Sequence, residues 1–103
     1  MGIMLITVWF PPNKSIDIAK WYLKQPRELP YVKKWRVFNT NGGLNGMKQY
    51  HLIYSEKGKL EEASIEVQKY FLPIANEIED FRIQGESLLG VSDSYALAGM
   101  KWE

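Results

Sequence analysis

His51 is the only histidine of the chain and the only side chain whose ordinary pKa lies near neutrality. It falls in Met47-Lys48-Gln49-Tyr50-His51-Leu52-Ile53-Tyr54, whose alternation and aromatic content predict a strand. An imidazole there could act as a general base or hydrogen-bond a substrate. The competing reading is a packed strand histidine satisfied by its neighbours. His51 is thus the candidate catalytic residue. Trp9, Arg36, Gln49, Gln84 and Glu86 are the candidate ligand-binding residues, Trp9 by stacking and the others by polar contacts from neighbouring strands. For Trp9 the rival reading is an aromatic side chain buried in a subunit interface.

Other chemistries lack their residues. The chain has no cysteine, which removes disulfides, thiolate nucleophiles and cysteine-based metal sites. One histidine among scattered carboxylates has no metal-ligand spacing, so neither a metal nor another cofactor is expected. Gly42-Gly43 and Gly46 mark a hairpin loop rather than a phosphate cradle, because no helix follows them. Gly85 to Gly90 has the spacing of a P-loop, but Val91 and Ser92 stand where Lys and Ser or Thr are required. Gly90-Val91-Ser92-Asp93-Ser94 lacks the closing glycine of a nucleophile elbow. Asn13-Lys14-Ser15 is better read as helix capping than as a glycosylation site. Glu61, Glu62, Glu66, Glu77 and Glu79 read as the solvated side of a helix.

A chain of 103 residues suits one domain, and 46% hydrophobic with 14% aromatic residues is enough to pack a core. The net charge of +1 argues against a general nucleic-acid or anionic-membrane binder. The one basic cluster, Lys33, Lys34 and Arg36, reads as a solvated strand edge. The longest apolar run, Ile3 to Phe10, is too short to span a bilayer and follows no basic region, so a cytoplasmic location is expected. Ile6 stands where a myristoylation pattern requires Ser or Thr.

Met4 to Phe10 predicts a strand stopped by Pro11-Pro12, with Asn13 or Ser15 capping a helix over Ile16 to Lys24. The apolar face of that helix reads as Ile16, Ala19, Tyr22 and Leu23, and Gln25-Pro26 ends it. Val32 to Thr40 and Met47 to Tyr54 form a hairpin around the turn Asn41 to Gly46. Leu60, Ala63, Val67, Tyr70, Phe71, Ile74, Ile78 and Phe81 mark a second helix, in which Pro73 predicts a kink or a break. Arg82 to Leu89 predicts the fourth strand. The tail, 90–103, alternates over Tyr95 to Trp102, which suggests a fifth strand or an arm reaching a partner.

The order β-α-β-β-α-β predicts an α+β, ferredoxin-like sandwich: a four-stranded antiparallel sheet with both helices on one face. The helix-facing sets read as Met4, Ile6, Val8 and Phe10; Trp35 and Val37; Tyr50, Leu52 and Tyr54; and Ile83. The opposite face then carries Leu5, Thr7, Trp9, Lys34, Arg36, Phe38, Met47, Gln49, His51, Ile53, Arg82, Gln84 and Glu86. That mixture is too apolar for a solvated face and too polar for a packed one.

Over about residues 4 to 89, in length, element order and strand character, the chain resembles the dimeric α/β-barrel superfamily. The resemblance implies two protomers packed sheet on sheet around a partly polar cavity. Members include cofactor-independent monooxygenases, isomerases and haem-handling proteins, and no catalytic motif of any one of them is matched here. Two functions follow as expectations. One is a homodimer that binds or transforms a small organic molecule in a sheet-lined cavity without a metal. The other is a non-catalytic dimeric interaction or structural module.

Overall fold

The structure, a computed structural model, describes residues 2–101, and the side chain of Asn45 is left aside. Four strands carry the fold: β1 (Ile3–Phe10), β2 (Val32–Asn41), β3 (Met47–Ser55) and β4 (Arg82–Leu88). Helix α1 (Ser15–Leu23) connects β1 to β2, α2 (Leu60–Glu77) connects β3 to β4, and α3 (Val91–Leu97) follows β4. The sheet order is β2-β3-β1-β4 with every neighbouring pair antiparallel. The molecule is therefore α+β, and its order and pairing are compatible with a ferredoxin-like fold.

The core lies between one sheet face and the two longer helices. Met4, Ile6, Val8 and Phe10 of β1 and Ile53 of β3 meet Ile18 of α1 and Ala63, Val67, Phe71 and Ile74 of α2. The period of two in β1 and the three- and four-residue steps in α2 put these side chains on facing surfaces.

Four expectations are corrected. The phase of β3 is opposite to that predicted: Gln49, His51 and Ile53 pair across from Val8, Ile6 and Met4, so they share the helix-facing side. Tyr50, Leu52 and Tyr54 lie on the open face, opposite Thr7, Leu5 and Ile3. Both faces of β3 alternate equally well, so hydrophobicity alone does not choose between them; a one-residue shift exchanges the sets. The open-face aromatics are covered instead by cations, with Lys48 Nζ 5.0 Å from the Tyr50 ring and Lys34 Nζ 5.7 Å from that of Tyr54.

The break at Pro73 does not occur: the residue lies inside one continuous helix, its ring exposed and its missing N–H costing a single backbone bond. Residues 91–97 are helical rather than a fifth strand; the Ser94 N–H donates to the Gly90 carbonyl at 3.0 Å and starts the turn. Trp102 lies outside the described residues. At α1, neither Asn13 nor Ser15 caps through its side chain: a 3₁₀ turn over Pro12–Lys14 leads into the helix, and Ser15 Oγ donates back to the Pro12 carbonyl at 2.8 Å.

The loop before β3 uses a glycine for a definite reason. Gly46 has φ +86°, and a Cβ there would lie 2.6 Å from the Phe10 carbonyl oxygen. That close approach lets Met47 begin β3 directly opposite Phe10.

Candidate functional site

A cleft of about 720 Å³ opens between α1, the loop that follows it, and the helix-facing side of β2 and β3. Its floor is Trp35, Val37, Asn39, Met47, Gln49 and His51, and α1 forms one wall. Within α1, Ile18 is buried in the core while Ala19 and Leu23 are exposed, and all three line the cleft. Part of the apolar face predicted for this helix is thus a wall of the cleft. Exposed aliphatic side chains on a concave surface are the usual lining of a ligand site.

At the floor, His51 belongs to a chain of side-chain hydrogen bonds. The Trp35 indole N–H donates to His51 Nδ1 at 2.9 Å. An indole nitrogen only donates, so Nδ1 offers its lone pair and the proton of the neutral ring sits on Nε2. His51 Nε2 lies 2.7 Å from Gln49 Oε1, which accepts that proton. The Gln49 amide nitrogen donates in turn to Asn39 Oδ1 at 2.7 Å, which fixes the orientation of the amide. Tyr22 Oη lies 3.2 Å from the same Nε2 and stands as a second acceptor. The hydroxyl proton of Tyr22 is then left to donate elsewhere, and Tyr22 lines the cleft.

An aromatic shell holds the imidazole. The rings of Phe71, Tyr22 and Trp35 lie 5.0, 5.5 and 5.7 Å from it, and Tyr70 packs on Trp35 at 4.9 Å. His51 is only 2% exposed. Desolvation by this burial lowers its pKa to about 4, because the charged ring would lose water without gaining an anion. Burial pushes the phenol of Tyr22 well above its ordinary value, and the nearby Tyr70 adds to the rise. Tyr70 moves the same way, again through burial. The floor is therefore neutral at physiological pH, with both nitrogens of His51 engaged and a phenolic hydroxyl as the donor facing the cleft.

The candidate residues from the sequence divide between the two faces of the sheet. His51 and Gln49 come together in the cleft. Trp9, Arg36, Gln84 and Glu86 lie on the other face, where Trp9 and Gln84 line a separate hollow of about 470 Å³ with Arg82 and Ile83. There the Gln84 amide donates to Glu86 Oε1 at 3.4 Å, and Arg36 lies 5.4 Å from the Phe38 ring. Sequence reasoning missed Tyr22, Trp35, Asn39 and Arg27 as parts of the cleft. Tyr22 and Trp35 read as core aromatics, and only their distance to His51 shows their second role. Among the described residues, no group of three or more His, Cys, Asp or Glu side chains converges on a possible metal position. No helix among them is long and apolar enough to cross a membrane.

No family model matches the chain, and neither a curated protein nor a solved structure is significantly similar to it.

Proposed function

We propose that this protein binds a small organic molecule in the cleft above His51, and that it does so as a homodimer joined through the open sheet face. The observation that carries the first part is the cleft itself, about 720 Å³ of mostly apolar wall over a neutral, hydrogen-bonded floor. The donors it offers are a phenol, side-chain amides and the guanidinium of Arg27, and the binding proposed here uses no metal. If the ligand is also transformed, the Tyr22 hydroxyl is placed to donate a hydrogen bond to it rather than to act as a base, because burial keeps its proton in place.

The dimer is supported by the charge order across the open face. Strand pairing places Arg36, Leu52, Leu5 and Glu86 in one row from β2 to β4. A two-fold axis lying between two stacked sheets and parallel to the strands sets β2 of one copy over β4 of the other. Arg36 then meets Glu86 of the partner subunit on both sides, and leucines meet leucines at the centre. An axis across the strands would set Arg36 against itself. Sheet-on-sheet packing of two copies is what the resemblance to the dimeric α/β-barrel superfamily implies.

A thermal-shift screen of aromatic acids, quinones and haem tests the ligand site. Stabilisation by one class, abolished when Ala19→Trp fills the cleft, supports it. Failure of every class leaves the second reading, a non-catalytic dimeric module whose open face is its working surface. Light scattering at micromolar concentration tests the dimer, which a monomeric mass would exclude.

A further inference from the structure

We propose that the cleft takes a planar aromatic monocarboxylate, its ring against the aromatic wall and its carboxylate on Arg27; this rests on the small-molecule reading of the cleft. Arg27, in the loop after α1, is the only charged side chain of the lining, which contains no Asp or Glu. Among the described residues, no ion pair engages Arg27. Arg27 is exposed and borders the cleft, so its fork of donors is uncommitted to any carboxylate and available to an anion there.

The position of the charge decides the orientation of the ligand. An anionic group at the floor would be desolvated beside His51, which stays neutral above about pH 4 and provides no compensating charge. The same anion at the mouth keeps partial hydration and meets Arg27. One planar guanidinium matches one planar carboxylate, whereas a phosphate dianion would leave charge uncompensated here. The remaining lining suits an aromatic body: Phe10, Tyr22, Trp35 and Tyr70 all border the cleft. A ring oxygen reaching the floor would meet the hydroxyl of Tyr22.

Calorimetric titration with 2-naphthoate and its neutral twin 2-naphthamide tests the assignment. Wild-type protein should bind the carboxylate about fivefold more tightly than the amide, the scale of one partly exposed charge-assisted contact. Arg27→Gln should remove that preference while leaving the amide affinity unchanged, and Arg27→Lys should keep part of it. Circular dichroism verifies that each variant is folded. Equal affinities in the wild type, or a preference that survives Arg27→Gln, would overturn the carboxylate assignment while leaving the cleft as a ligand site. Failure of both compounds to bind folded wild-type protein, at concentrations where other ligands from the thermal-shift screen do bind, would also overturn it. Failure of every ligand would remove the cleft reading with it.

Discussion

The indole N–H of Trp35 and Nδ1 of His51, 2.9 Å apart, decide the protonation of the cleft floor. The donor comes from β2 and the acceptor from β3, one strand away, and the pairing of Val37 with His51 sets their approach. Trp35→Phe keeps an aromatic ring but leaves the Nδ1 lone pair buried without a donor. Such an orphan costs about 1–3 kcal/mol, to be read from urea unfolding. Long-range ¹H–¹⁵N spectra of the wild type should show the proton on Nε2. A proton on Nδ1 would contradict the assignment.

The lowered pKa of His51 makes stability depend on pH. The ring titrates at about 4 in the fold and near 6.5 in the unfolded chain, so below 6.5 the unfolded chain takes up the proton first. The contribution is complete above the unfolded value and falls as the pH drops toward 4. Its full size is on the order of 3 kcal/mol, since each tenfold loss of proton affinity is worth about 1.4 kcal/mol. His51→Gln should flatten the stability profile between pH 7 and 4 relative to wild type, as measured by denaturant unfolding at each pH. Parallel profiles would show that His51 does not titrate as described.

Charge reversal tests the row across the open sheet face. Arg36→Glu and Glu86→Arg should each weaken the dimer by about tenfold or more, because each sets like charges in contact. The double variant should restore association, since the pair is merely exchanged. Sedimentation velocity reads all three. Additive weakening in the double variant would count against the parallel two-fold arrangement.

Pro73 offers a stability gain away from the site. It is exposed in the last third of α2 and cannot donate to the Lys69 carbonyl. Pro73→Ala should stabilise the protein by about 2 kcal/mol, the helix penalty of proline less the entropy that its ring removes from the unfolded chain. A rise in the thermal midpoint checks this.

The four strands and the two helices between them are legible in the sequence because a proline pair, an Asn-Gly-rich turn and two periodicities mark them, whereas the helix after β4 is not. The phases of β1 and β2 are legible as well. Met4, Ile6, Val8 and Phe10 alternate with the less apolar Thr7, and Trp35 and Val37 alternate with Lys34 and Arg36. In β3 the same logic fails. Tyr50, Leu52 and Tyr54 are as apolar as Met47 and Ile53, and an inward histidine looks wrong until its partners are known. Those partners, Tyr22 and Trp35, lie 29 and 16 residues from His51 in sequence, and folding alone brings them to it. The stripe predicted for α1 is off by position: Ile18, outside it, is the buried residue, Ile16 is 70% exposed, and of the predicted four only Tyr22 packs against the core. Hydrophobicity does not distinguish a core wall from a cleft wall, and Leu23, 74% exposed, belongs to the second.

Two tryptophans on opposite faces of the sheet allow a direct test of ligand binding in the cleft above His51. Trp35 lines the cleft and Trp9 lies on the open face. In ¹H–¹⁵N spectra recorded during titration with small aromatic fragments, the Trp35 indole resonance should shift with saturation while that of Trp9 stays in place. Shifts confined to Trp9, or no saturable shift of Trp35 with any fragment, would contradict a ligand site in this cleft.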